Sequence, residues 1–226
     1  MRRILQIVLP LAAAAACGSD NPTSTGDGTG GNNNGTAYSV SADSTFLDRT
    51  APIGTALSST VHVELGGVAA PNVTVSWFPA AGSGTTNAKT STTDGSGNAS
   101  IIWTLGDTAR VNTLTATAGT GSVNLTATST PGAPNAISPA SADSTTLVAG
   151  ASTLISVRVV DAFGNRVSGV TVAWSATGGS LSVQNSTTGA AGNADVVFIT
   201  AATPATYSVT ATAPGLSPVS FKVIGF

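Results

Sequence analysis

Apolar and polar residues alternate with a period of two along most of the chain. Val61, Val63 and Leu65 fall on one side of a segment whose other side carries His62 and Glu64. Val73, Val75 and Trp77 alternate with Thr74 and Ser76, and Ala99, Ile101 and Trp103 with Ser100 and Thr104. Leu114, Ala116 and Ala118 alternate with Thr113, Thr115 and Thr117, and Val123, Leu125 and Ala127 close the set. A second set follows: Ile155, Val157 and Val159; Val170, Val172 and Trp174; Ala194, Val196 and Phe198; Tyr207, Val209 and Ala211; Val219, Phe221 and Val223. Successive side chains of an extended strand point to opposite faces, so the pattern predicts antiparallel strands buried on one face only. No amphipathic helical period follows residue 17. The predicted fold is all-β.

The two sets are copies. SADST occurs at Ser41–Thr45 and again at Ser141–Thr145; NVTVSW at Asn72–Trp77 pairs with GVTVAW at Gly169–Trp174. DGSGNASIIW at Asp94–Trp103 pairs with GAAGNADVVF at Gly189–Phe198, and NTLTATAG at Asn112–Gly119 with TYSVTATAPG at Thr206–Gly215. The offset is 95 to 100 residues, too long for a solenoid repeat and the size of a whole β-sandwich. About seven short strands per copy predict two tandem immunoglobulin-like β-sandwich domains. The first spans 36–130 and the second 135–226, with a short Pro/Gly linker at 131–134.

The amino-terminal segment differs. Arg2 and Arg3 precede an apolar run, Ile4–Ala16, which as a helix would rise only about 20 Å, short of a bilayer core of roughly 30 Å. Residues 1–16 are therefore read as an export signal peptide. Small residues Ala14–Ala16 lead into Cys17, the single cysteine of the chain. This arrangement resembles a bacterial lipoprotein signal, which implies that Cys17 is lipidated and anchors the protein to a membrane. Alanine at 14 replaces the usual leucine of that signal; the alternatives are ordinary cleavage after an Ala-x-Ala site, leaving a free amino-terminal cysteine, and a chance cysteine in a discarded peptide. Residue 18 is glycine rather than the aspartate that resembles an inner-membrane retention signal, which points to the outer membrane. Residues 17–35 form the lipidated cysteine and a Gly/Asn/Thr-rich tether, whose eighteen residues after Cys17 span roughly 23 Å as a flexible coil.

Composition narrows the function. Only 8% of residues are charged and 5% aromatic, and the net charge is −2, becoming −4 once residues 1–16 are removed. No run of Lys or Arg offers the clustered cations that nucleic acid requires.

One motif is informative: DAFGNRVSGVTVAW, Asp161–Trp174. Gly164 and Asn165 are expected to take left-handed backbone angles in a turn, with Asp161 bonding the turn's own N–H groups. The motif resembles the bacterial Ig-like domain of the invasin and intimin type, through Asp161, Gly164 and Asn165, then Gly169, Val170 and Trp174, then Gly192 and Ala194. Arg166 stands where that family often has proline, and Trp174 where it often has phenylalanine. The first copy keeps Trp77 but has LGGVAAPNVTVSW without the Asp-x-x-Gly-Asn turn. The resemblance implies a stalk or adhesion module of the cell envelope, with a surface protein or glycan as its partner class. It names no ligand-binding residues.

Reactive chemistry finds little support. The one histidine, His62, shares a face with Glu64, an ordinary solvated pair without a nucleophile beside it. Zinc lacks a ligand set. Asp94, Ser96 and Asn98 are spaced like a calcium loop, but Leu105 occupies the position of its bidentate glutamate, which favours a hairpin turn. No cofactor is implied and the expected class is not an enzyme. Thr113, Thr115, Thr117, Thr126 and Thr128 read as solvent-side strand residues. Trp103 reads as core, and Phe78, on the opposite face from Trp77, as exposed.

Overall fold

The computed structural model describes residues 35–43 and 49–226. The expected signal peptide, Cys17 and almost all of the tether lie outside the described residues.

Four antiparallel-based sheets pack as two sandwiches. In the first, one sheet joins β1 (Ser39–Ala42), β3 (Ala56–Leu65), β8 (Asn98–Thr104) and β6 (Thr85–Thr86), with β4 (Val68–Ala69) paired to β3. The facing sheet runs β2 (Arg49–Pro52), β10 (Gly121–Thr130), β9 (Val111–Ala118), β5 (Thr74–Pro79) and β7 (Thr90–Thr92). The second sandwich repeats the order. One sheet is β11 (Ala136–Pro139), β13 (Ser152–Val160), β17 (Asn193–Ile199) and β15 (Ser180–Leu181). The other is β12 (Ser144–Leu147), β19 (Val219–Gly225), β18 (Ala205–Thr212), β14 (Thr171–Ala176) and β16 (Asn185–Thr187). In each sandwich the entering chain gives one strand to each sheet, and the second lies parallel to the last strand: β2 along β10 and β12 along β19.

The alternation of the sequence sets the cores. Val61, Val63, Val75, Trp77, Ala99, Ile101, Trp103, Leu114 and Ala116 meet between the sheets of the first sandwich. Ile155, Val157, Val172, Trp174, Val196, Phe198, Tyr207, Val209 and Phe221 do so in the second. Leu65 departs from the expected inward set and is 49% exposed. It is the last residue of β3, where the strand turns back into the β3–β4 hairpin. Each core also keeps its indole hydrogen bond, because a buried N–H without an acceptor is costly. Trp77 Nε1 donates to Ser91 Oγ at 2.9 Å and Trp174 Nε1 to Ser186 Oγ at 2.8 Å. Trp103, where the second copy has Phe198, is fully buried and donates to the Ser83 carbonyl at 2.8 Å.

Candidate functional site

The motif loop between β13 and β14 is a densely hydrogen-bonded polar cluster. Asp161 is buried at 3% exposure. Its Oδ1 accepts from the N–H groups of Phe163 and Asn165, each at 2.9 Å, closing the turn as expected from sequence. Its Oδ2 accepts from the Asn165 side-chain amide and from the Gly132 N–H, also at 2.9 Å. Burial alone would raise the pKa of this carboxyl. The Asn165 amide and the Gly132, Asn165 and Phe163 N–H groups outweigh it and hold the pKa below the ordinary value.

One expectation needs correction. Gly164 has a left-handed φ of +85°, but Asn165 does not. A single glycine is enough to reverse the chain, so Asn165 keeps an ordinary backbone and spends its side chain elsewhere. Its Nδ2 donates to the Asp107 carbonyl at 2.7 Å, and its Oδ1 accepts from the Ala109 N–H at 2.9 Å. Both partners belong to the first sandwich, in the β8–β9 loop.

The remaining motif residues build the strand that follows. Gly169 has φ +79° and its N–H donates to the Thr188 carbonyl at 2.8 Å. Val170 is partly buried against the core, and its N–H donates to Thr188 Oγ1 at 2.9 Å. The Thr188 hydroxyl then donates to the Val167 carbonyl at 2.8 Å. The first sandwich uses the same latch: the Val73 N–H donates to Thr93 Oγ1 at 2.8 Å, and that hydroxyl donates to the Ala70 carbonyl at 2.6 Å. Both threonines are 3% exposed. The sequence held a clue, since each immediately precedes one of the matched segments that begin at Asp94 and Gly189. Gly192 has φ +70°, and a Cβ there would lie 2.8 Å from the Val159 carbonyl; Ala194 beside it is core.

The other candidates do not join this cluster. Asp94 Oδ1 accepts from the N–H groups of Ser96 and Asn98, both at 2.9 Å, so its carboxylate closes a hairpin turn. This is the Asp-x-x-Gly-Asn turn again, placed between β7 and β8 with Gly97 at φ +77°. His62 Nε2 lies 3.3 Å from Glu64 Oε1, and its Nδ1 lies 3.0 Å from Asn98 Oδ1, so both ring nitrogens face polar partners. Among the described residues no three His, Cys, Asp or Glu side chains cluster to hold a metal. Phe78 is 57% exposed and walls an open cleft with Pro79, Thr85 and Lys89. Thr177–Leu181 turns at the opposite end of the second sandwich from Asp161, where Ser208 N–H donates to Thr177 Oγ1 at 3.0 Å.

No curated protein matches the chain. Among solved structures, Yersinia pseudotuberculosis InvD aligns over 83% of this chain and 57% of its own, at 17% identity and a TM-score of 0.53. The D0-D1 domain of intimin aligns over 84% of this chain and 98% of its own, at 25% identity and a TM-score of 0.36. A glycosyl hydrolase family 2 member from Bacteroides cellulosilyticus aligns over 77% of this chain and 23% of its own, at 17% identity and a TM-score of 0.38. The InvD alignment supports the sandwich fold. The family model described as bacterial Ig-like domain (group 1) matches residues 139–223, the span that carries the Asp161–Trp174 motif and the Thr188 latch. Residues 139–223 are thus similar to a bacterial Ig-like domain of group 1.

Proposed function

We propose that this protein is an exported, lipid-anchored module of the bacterial cell envelope, in which two immunoglobulin-like sandwiches serve adhesion, binding or scaffolding. The match of 139–223 to the group 1 bacterial Ig-like domains carries the reading, because modules of that kind work mostly as stalks and adhesins. Cys17 holds the lipid, residues 18–35 form the tether, and the sandwiches spanning 36–130 and 135–226 stand off an outer membrane, at the surface or facing the periplasm. One acyl chain binds a membrane only marginally, whereas several on a single cysteine anchor it durably. The partner is a surface protein or glycan met by loops such as Thr177–Leu181, or by pairing at an open sheet edge.

A second reading, a spacer with no ligand of its own, is favoured by one observation. Asn165 of the motif spends its side chain on the first sandwich, and Asp161 bonds the connection between the two. The two readings separate by mutation. Changing Thr177–Leu181 should abolish attachment by an adhesin and leave a spacer untouched.

The first test is the intact mass of membrane-extracted protein beside a Cys17→Ser variant, with protease shaving of whole cells. Acyl mass on a chain beginning at Cys17, with the sandwiches removed by shaving, is the expected result. An unmodified, soluble and protected chain would overturn the anchored-module reading.

A further inference from the structure

The structure assigns a second role to the Asp-x-x-Gly-Asn loop of the second sandwich: it is a clamp that grips the main chain of the first sandwich and fixes the pair as one body. The loop reaches two separate stretches. Asn165 engages one carbonyl and one N–H two residues apart, at Asp107 and Ala109, as a neighbouring strand would. Asp161 takes the N–H of Gly132, in the connection between the sandwiches. Asp161 also holds the Asn165 amide, so the two grips share one rigid unit.

The receiving loop is built to stay in place. Ser129 Oγ donates to the Thr108 carbonyl at 2.8 Å, and the Arg110 N–H donates to Ser129 Oγ at 3.1 Å. Asn112, fully buried, donates from Nδ2 to the Arg110 carbonyl at 3.0 Å and to Ser129 Oγ at 2.9 Å. Tandem domains joined by a short linker move against one another unless their interface holds them. Here both faces of the junction are ordered by buried polar groups before they meet.

The clamp also has a direction. Trp103–Leu114 and Phe198–Val209 align without a gap, which puts Pro204 where the first copy has Ala109. Proline has no N–H to give. The second sandwich therefore lacks the donor that its own loop finds in the first. Conversely, the matching β3–β4 hairpin of the first sandwich carries Gly66 and Gly67, with no Asp or Asn to reach outward. One copy receives and the other grips, so the contact forms once, in this order, and does not propagate along a row of identical units. Because the grip reads main chain, it tolerates side-chain change in the receiving loop and fails where an N–H is lost.

Amide relaxation by NMR on the full chain tests this, with Asn165→Ala in the clamp and Ala109→Pro in the receiving loop. The native chain should show one rotational correlation time for both sandwiches and slow hydrogen exchange at the Ala109 and Gly132 amides. Each variant should uncouple the sandwiches, shortening the correlation time of each by roughly half as expected for a body of half the size. Asn165→Ala should also deprotect Ala109. Asn98→Ala removes the matching asparagine from the β7–β8 turn and should leave the coupling intact, as should Ala109→Ser. If Asn165→Ala does not fold, Ala109→Pro decides, since the second copy already accommodates proline there. A single correlation time in the folded variants, or uncoupling by Asn98→Ala as well, would overturn the assignment.

Discussion

Replacing Thr188 by valine keeps the shape of the side chain and removes only its hydroxyl. That hydroxyl accepts from the Val170 N–H at 2.9 Å and donates to the Val167 carbonyl at 2.8 Å, at a site only 3% exposed. Valine leaves both groups without the partner they have now, and water has little access to replace it. A buried polar group left unsatisfied costs about 1–3 kcal/mol, so the two together should cost about 3 kcal/mol. For a sandwich of this size that lowers Tm by roughly 12–24 °C. Thr188→Ser keeps the hydroxyl and loses one methyl, worth about 1 kcal/mol. Differential scanning calorimetry of the three proteins reads the difference, and hydrogen exchange at the Val170 amide locates it. The reasoning fails if valine costs less than about 1 kcal/mol, or no more than serine does, for then the hydroxyl is not what ties the start of β14 to the turn before β17. Thr93→Val should behave alike in the first sandwich, where the same latch joins Val73 and Ala70.

Two further outcomes are expected. The folded pKa of Asp161 lies below its unfolded value of about 3.9, so its stabilising contribution is complete above that pH and is lost as pH falls through the folded value. Urea midpoints of the native chain and Asp161→Asn, measured from pH 6 downward, should therefore converge below pH of about 4; a constant gap would contradict the hydrogen-bonded carboxylate. Gly179→Ala should destabilise by roughly 3 kcal/mol, because φ is +69° and the new Cβ would lie 2.5 Å from the Ile199 carbonyl and 2.6 Å from Phe198 Cζ. Gly164→Ala meets open space at φ +85° and should cost only about 1 kcal/mol, and equal losses in thermal denaturation would contradict this.

The strands were legible in the sequence because a sandwich buries one face of each sheet, and burial of alternate residues imposes the period of two. Val61, Val63, Ile155 and Val157 could be placed on that ground alone. Leu65 could not, because alternation does not say where a strand gives way to its hairpin turn. Thr93 and Thr188 escaped for a different reason. Threonine is the common solvent-side residue of strands, so a buried one looks like its exposed neighbours until its partners are known. Asn165 was readable only in part. Its place in a turn follows from local spacing, whereas its bonds to Asp107 and Ala109 depend on how one sandwich meets the next, which no local pattern encodes.

The parallel pairing of β2 with β10 and of β12 with β19 has a mechanical consequence. In each sandwich the chain passes from a first strand, β1 or β11, into one strand of the pair and leaves along the other. Tension drawn through the chain therefore pulls these neighbours past each other along their length. Arg49↔Ala127 through Pro52↔Thr130, and Ser144↔Lys222 through Leu147↔Gly225, would be sheared together instead of peeled open one pair at a time. Such a ladder resists stretching far better than an antiparallel hairpin pulled from its open end, a geometry suited to a protein held at one end while something tugs on the other.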